Sequence, residues 1–298
     1  MTAAGSRLHD MEKDMQVPYS AGMRRPRLKA PAGACDCHMH IFDGRYPMAD
    51  GAPQVPDAVV GDYRRLQERL GLSRTVVVAP SMYGLDNRCT LDATQALGKD
   101  ARCVVSLGPE STAEEIEAMH RAGARGFRFN LARSAMNSLD TLSSIARRVA
   151  PLGWHMQLWM HPDGLPDAAP LLESLPIPTV LDHMAGIPLH GGRAHPAFRT
   201  LLDLLGNGRT WMKLSLATAW PQLESARPEL NALARDFVAA APRRVVWGSD
   251  WPHAMSSVHG RPFPDDAAKL DALLDWTDEP TLQRILVDNP AELYQFDA

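Results

Sequence analysis

Several hydrophobic runs of this chain end in residues that can bind a metal ion or transfer a proton. Imidazole and carboxylate groups gathered at the mouth of a cavity suit a divalent cation or general acid–base chemistry. If the runs are strands whose ends meet, these side chains converge although they lie far apart in the sequence. Burying so many titratable groups without partners costs free energy, so a purely structural role for the whole set is disfavoured. The residues concerned are His38, His40, His161, His183 and Asp250.

The most specific pattern is the segment Asp36-Cys37-His38-Met39-His40 at the end of the first run. Because side chains alternate along a strand, His38 and His40 should share one face, with Cys37 and Met39 on the other. A single histidine near a strand end is commonly a hydrogen-bonded structural residue. Two histidines at this spacing favour a functional site.

Apolar runs alternate with amphipathic stretches along the whole chain, which predicts an α/β protein with parallel strands buried on both faces. We expect a (β/α)8 barrel, in which all strands end on the face that carries the active site. An open doubly wound sheet is the alternative, but its glycine-rich turn is missing after the first run. The predicted strands are Ala34–Ile41, Arg74–Pro80, Arg102–Leu107, Gly126–Asn130, His155–Met160, Thr179–Met184, Thr210–Ser215 and Arg244–Asp250.

The stretches between the predicted strands have helical spacing. Ser111, with Glu114 three positions later, predicts the start of the third helix by a capping box. We expect residues 31–298 to form one barrel domain, preceded by a polar lead-in over residues 1–30. The predicted helices are Ala58–Leu70, Leu91–Leu97, Thr112–Arg121, Leu139–Val149, Leu165–Leu175, Pro196–Leu205, Pro228–Ala240 and Pro280–Val287.

Composition narrows the classes of partner. The net charge of −4 and the lack of a dense Lys/Arg run argue against nucleic-acid binding. No apolar stretch approaches the ~20 residues of a membrane span, and the N-terminus has no apolar signal core. The four cysteines have neither zinc-ribbon nor disulfide-framework spacing, so we expect small buried hydrophobes in a cytoplasmic protein. A homo-oligomer is also expected.

The chain is similar to the amidohydrolase superfamily, in its amidohydrolase-2 branch, from about residue 30 onward. Within that branch it most resembles 2-pyrone-4,6-dicarboxylate lactonases and the related sulfomuconolactone and sugar-lactone enzymes. The segments that carry the resemblance are Asp36–His40, Ser81–Asn87, Arg125–Asn130, Leu181–Met184, Trp247–His253 and Asn289–Tyr294.

The resemblance implies a hydrolase that opens the lactone of a small anionic carboxylic or sugar acid, using water activated by Asp250. His183 would donate a hydrogen bond to the carbonyl oxygen or shuttle the proton. His161 matches the strand-five histidine that binds metal in other amidohydrolases. His38, His40, His161 and Asp250 would then hold one divalent ion, zinc being the expected metal. A metal-free site is the alternative, because the pyrone-dicarboxylate enzymes look metal-independent.

Substrate contacts are predicted around this centre. Arg128 is the first choice for an anionic group because a guanidinium grips a carboxylate bidentately, although a salt bridge at the rim is an equal alternative. Trp159 should wall the pocket, and His253 should orient Asp250. Asp182 should point to the face opposite His183. Further substrate contacts are expected from Ser81, Tyr83 and Arg133, with Arg88 a second candidate clamp.

Other functions remain open at the level of the residues. Decarboxylases of the same superfamily share the histidines and the last aspartate, so these residues do not choose between ester and carbon–carbon cleavage. Lactone isomerisation is a further possibility. A barrel that binds a small molecule without turning it over is the non-enzymatic alternative.

Overall fold

The computed structural model describes residues 16–130, 139–215 and 227–297. Eight parallel strands follow one another around a single sheet in sequence order. Their bounds are β1 Cys35–Met39, β2 Arg74–Val78, β3 Ala101–Ser106, β4 Ala124–Asn130, β5 His155–Trp159, β6 Thr179–Leu181, β7 Thr210–Leu214 and β8 Val245–Trp247. The predicted (β/α)8 barrel is therefore confirmed, and every predicted strand is present.

The barrel closes where β1 meets the segment after β8. Met39 pairs with Trp251 in a parallel bridge, and the Asp250 N–H donates to the His38 carbonyl at 2.7 Å. The two ends of the sheet thus join beside the residues singled out by their chemistry.

Amphipathic helices cover the outer face of the sheet. The third helix begins at Thr112, whose hydroxyl accepts from the Glu115 N–H, one residue later than the predicted box. The helix bounds are α1 Val60–Leu70, α2 Arg88–Leu97, α3 Ala113–Arg121, α4 Leu139–Val149, α5 Leu165–Ser174, α6 Pro196–Gly206, α7 Arg227–Ala240, α8 Ala254–Val258, α9 Asp266–Asp271, α10 Leu273–Trp276, α11 Glu279–Gln283 and α12 Asn289–Tyr294.

Two apolar clusters stabilise this arrangement. The larger one fills the space between the sheet and the helices, and the smaller one fills the barrel interior with valines from β2, β3, β6 and β8. All four cysteines are free and buried, as predicted. Within the described ranges, no helix combines the length and apolar character that a membrane crossing requires.

Residues 16–30, the second half of the predicted lead-in, contact the barrel. Val17 and Leu28 are buried, and the Ser20 hydroxyl donates to Asp266 in α9 at 2.6 Å. The Trp251 indole N–H donates to the Pro18 carbonyl at 2.8 Å. This segment therefore braces the loop that carries Asp250.

Candidate active site

An irregularity in β1 aims both histidines of the first strand at one cavity. The pairing register between β1 and β2 shifts between Asp36 and Met39, which is a β-bulge, a feature that redirects side chains. Cys37 belongs to the cluster inside the barrel, whereas Met39 packs in the outer cluster. The prediction that these two residues share a face was therefore wrong, because the extra residue breaks the alternation.

Four side chains that the sequence singled out meet at the carboxyl ends of the strands. The His38 Nε2 lies 3.3 Å from the His40 Nε2 and 3.4 Å from Asp250 Oδ1. The same carboxylate oxygen lies 3.6 Å from the His40 Nε2 and 3.7 Å from the His183 Nε2. One carboxylate thus contacts three imidazoles.

The backbone and nearby polar groups fix the orientation of these side chains. The His40 Nδ1 donates to the Val78 carbonyl at 2.7 Å, and the His183 Nδ1 lies 2.8 Å from the Ser215 hydroxyl. His183 and Asp250 both have positive φ, 51° and 62°. Such backbone strain is uncommon outside glycine and clusters at functional sites.

Burial and mutual contact shift the ionisation of the cluster. Burial, followed by the Lys213 charge, holds the pKa of His38 well below its usual value. Burial also lowers the pKa of His183, against the opposing effect of Asp250. Burial alone would raise the pKa of Asp250, but His183, His40 and His38 together hold it well below its usual range. The site therefore presents an ionised carboxylate beside His38 and His183, for which burial disfavours the charged imidazolium.

A polar network inside the barrel contacts His38, and most of it is not predicted from the sequence. Lys213 is fully buried and donates to the Cys37 carbonyl at 2.8 Å and to the Gln157 Oε1 at 2.6 Å. Burial lowers the pKa of Lys213 to about 8, against the charge of Asp182. The missed signal was a charged residue inside an otherwise apolar strand, Thr210-Trp211-Met212-Lys213-Leu214.

Asp182 belongs to this network, contrary to the prediction that it faces away. Its Oδ1 lies 3.4 Å from the His38 Nδ1, and its Oδ2 accepts from Gln157 at 2.9 Å. Burial alone would raise the pKa of Asp182, but His38 and Lys213 lower it. Strand β6 ends at Leu181 and a tight turn begins at His183, so alternation no longer applies and both neighbours approach His38.

His161 lies apart from the cluster. Its side chain is 75% exposed, and its Nδ1 lies 3.1 Å from Asp163. A 3-10 turn starts at Pro162, immediately after it. Neither group of described residues with metal-binding geometry includes His161.

The remaining predicted positions fall at varied distances from the cluster. The Trp159 ring lies edge-on to His183 at 5.3 Å between ring centroids, as a pocket wall would. The His253 imidazole pairs with Asp266 at 3.1 Å and reaches Asp250 only through its main-chain N–H. The imidazole is thus oriented by Asp266, and its role toward Asp250 stays a prediction.

The residues predicted to contact substrate also differ in burial and in their partners. Arg128 is largely buried, with its Nε 3.5 Å from Asp182. Tyr83 is buried and its hydroxyl accepts from the Asp43 N–H at 2.9 Å, while Ser81 is half-buried. Arg88 pairs with Asp86 at the surface, and Arg133 lies outside the described residues.

The donor set fits a metal ion. His38, His40 and Asp250 each offer one ligand atom to a common centre. A tetrahedral ion with bonds of about 2.0–2.1 Å separates its ligand atoms by roughly 3.3–3.4 Å. The observed separations of 3.3, 3.4 and 3.6 Å match that spacing. Two imidazoles and one carboxylate leave a position for water or a carbonyl oxygen.

A (β/α)8 barrel with an imidazole–carboxylate cluster at its strand ends defines a class of barrel enzymes. The Amidohydrolase family model matches residues 35–296, and the chain belongs to this family. The predicted family is thus confirmed, and with it the prediction of an enzyme.

Similar proteins act on lactones, according to their names. The chain is 33% identical to the 2-pyrone-4,6-dicarboxylate hydrolase of Comamonas testosteroni, over 93% of this chain and 95% of that protein. It is 32% identical to the 4-sulfomuconolactone hydrolase of Hydrogenophaga intermedia, over 90% of each. It is also 32% identical to the D-galactarolactone isomerase of Agrobacterium fabrum, over 91% and 94%. A crystal structure from Agrobacterium tumefaciens superposes with a TM-score of 0.83 at 28% identity, covering 94% of this chain and 99% of that one.

Proposed function

We propose that this protein hydrolyses the lactone of a small anionic carboxylic or sugar acid, with Asp250 as the general base. One observation carries the proposal: the Asp250 carboxylate lies at the barrel mouth within 3.4–3.7 Å of three imidazoles. The similarity to two lactone hydrolases over most of the chain supports the substrate class.

The mechanism follows from the charges of these groups. Asp250, kept ionised, accepts a proton from the attacking water. The carbonyl oxygen gains negative charge as the water oxygen adds, so it needs donors nearby. His183 presents its Nε2 beside Asp250 and donates to this oxygen. The ring C–O bond then breaks, and Asp250 returns the proton to the leaving alkoxide or enolate.

His38, His40 and Asp250 would hold one divalent ion, for which we propose zinc. When bound, such an ion supplies Lewis-acid polarisation of the carbonyl and lowers the pKa of a bound water. His183 lies beside this donor set, whereas His161 would have to swing away from Asp163 to reach it.

Arg128 is proposed to bind the acidic group of the substrate, with Trp159 closing one side of the pocket. The guanidinium is already close to Asp182, which fixes its position before substrate arrives. Ser81 and Tyr83 are proposed to add hydrogen bonds at the rim, and Arg133 a second charge. We also propose a cytoplasmic location, which the free cysteines support.

A second candidate is lactone isomerisation, favoured by the 32% identity to D-galactarolactone isomerase. A panel of anionic lactones tested with a weakly buffered pH indicator separates the alternatives. Hydrolysis releases one proton per lactone opened, isomerisation leaves the pH unchanged while NMR detects a new lactone, and decarboxylation releases carbon dioxide. Acid release from at least one lactone is the expected result.

A further inference from the structure

Lys213 has no role in the proposed reaction, although it is fully buried and lies next to His38. Its ammonium group carries three N–H donors. Two of them are directed at the Cys37 carbonyl and the Gln157 Oε1, at 2.8 and 2.6 Å. The third is available for the His38 Nδ1, 3.3 Å away. An ammonium group has no acceptor, so in this contact the His38 Nδ1 must be the acceptor.

The contacts of the His38 Nε2 also indicate that the ring proton is on Nε2 and not on Nδ1. The His40 Nδ1 faces the Val78 carbonyl at 2.7 Å, which can only accept, so a neutral His40 has its lone pair on Nε2. The His38 Nε2 lies 3.3 Å from this atom. Two lone pairs would repel there, and His38 therefore carries its proton on Nε2.

An imidazole protonated on Nε2 cannot offer that nitrogen to a metal ion. To become a ligand, His38 must move its proton to Nδ1 and donate it to an acceptor. Asp182 Oδ1 lies 3.4 Å from this nitrogen. This oxygen is buried, has no hydrogen-bond partner among the described residues, and lies 3.7 Å from the Lys213 Nζ. Carboxylates that accept from a ligand histidine commonly fix its metal-binding tautomer.

We propose that Lys213 and Asp182 compete for the His38 Nδ1 and thereby set the metal affinity of the site. With Lys213 donating, His38 is a hydrogen-bond donor toward His40 and Asp250. With Asp182 accepting, the His38 Nε2 becomes a metal ligand. Lys213 is thus a positioning residue that favours the metal-free arrangement, and Asp182 is its counterpart.

Lys213→Met tests this directly, because methionine keeps much of the side-chain length but has neither donor nor charge. Arg128 still accompanies Asp182 in the variant, so the buried carboxylate keeps a cation nearby. We expect Lys213→Met to bind Zn²⁺ or Co²⁺, added alone to the chelator-treated full chain, about 10–100-fold more tightly. Lys99→Met removes an exposed lysine and should leave the affinity unchanged. A folded Lys213→Met with wild-type affinity would overturn the proposal.

A second measurement tests the inference on the wild type even if Lys213→Met does not fold. Nitrogen-15 NMR of histidine-labelled, metal-free wild-type protein should show His38 as the Nε2–H tautomer, and in Lys213→Met as the Nδ1–H tautomer. The tautomer reports on the contact at Nδ1 directly, whereas the metal affinity also responds to the loss of the Lys213 charge. A wild-type His38 protonated on Nδ1 would contradict the inference. The inference rests on the proposed His/Asp centre, but neither readout uses a lactone, so it and the proposed hydrolysis can fail separately.

Discussion

Gly248 lies so close to His38 that a Cβ atom at position 248 would come within 2.5 Å of the His38 Cβ. It would also lie 2.9 Å from the His38 main-chain nitrogen. The first and last strands of the barrel therefore touch through a glycine that leaves no space for a methyl group. This contact holds the first histidine at its distance from Asp250.

Gly248→Ala should displace His38 and separate the cluster. A shift of about 1 Å at a catalytic group costs roughly 100-fold in rate, so kcat/KM should fall by about that factor. Overpacking should also lower the free energy of unfolding by about 1–3 kcal/mol. Lactone turnover and urea denaturation measure the two effects. Gly61→Ala in α1, where an added Cβ meets nothing within 4 Å, is the control and should keep full activity. Wild-type kinetics in Gly248→Ala would show that this contact does not position His38.

Asp250→Asn should remove the base and keep the fold. The main-chain bond from residue 250 to the His38 carbonyl does not depend on the side chain, and the amide oxygen can still accept a hydrogen bond. General-base catalysis contributes about 10²–10⁴-fold, so kcat should fall within that range. Asp203→Asn, which neutralises an exposed carboxylate paired with Arg199, should behave as wild type in the same assay. Unchanged kcat in Asp250→Asn would exclude this carboxylate as the base.

The elements could be predicted well from the sequence, because the strands are short apolar runs separated by polar breaks. The same pattern predicts which residues lie at the strand ends, and His38, His40, His183 and Asp250 do converge. Two local features could not be predicted from it. The β1 bulge adds a residue to one strand only, and the turn at His183 ends β6 early. Both depend on backbone geometry that residue types do not encode, and both break the alternation on which Cys37 and Asp182 were assigned.

Arg128→Gln should weaken the binding of anionic lactones selectively. If the guanidinium binds the acidic group, KM for an anionic lactone should rise about tenfold or more, since charge-assisted hydrogen bonds contribute about 1.5–3 kcal/mol. A neutral lactone of similar size is the matched control, and its KM should not change. Equal effects on both substrates would instead indicate that Arg128 acts through its contact with Asp182.

Substitutions of His40 and His161 should show which of these two histidines binds the metal ion. His40→Gln removes a nitrogen 3.6 Å from Asp250 and should lower the affinity for Zn²⁺ at least tenfold, because a ligand is lost. His161→Gln changes an exposed side chain that pairs with Asp163 and should leave the affinity unchanged. Isothermal titration with Zn²⁺ compares the variants. A large loss in His161→Gln would mean that this loop closes over the ion.

His155 should make the protein sensitive to acid. It is buried inside the barrel against Tyr294, and burial, with a contribution from Lys213, lowers its pKa to about 3. In the unfolded chain a histidine has a pKa near 6.5, so on acidification the unfolded state is protonated at His155 before the native state is. The contribution of neutral His155 to the free energy of unfolding is therefore fully present above about pH 6.5. It is lost as the pH falls from there toward 3, by up to about 1.4 kcal/mol per pH unit.

His155→Leu should remove this pH dependence, because leucine has no titratable group. Between pH 7.5 and 5.5, the free energy of unfolding of the wild type should fall by about 1.4 kcal/mol more than that of the variant. Urea denaturation at the two pH values measures the difference. His259→Gln removes an exposed histidine and should retain the wild-type pH dependence. If His155→Leu loses as much stability on acidification as the wild type, then His155 takes up its proton in the native state, and the barrel interior must admit water or rearrange to solvate the charge.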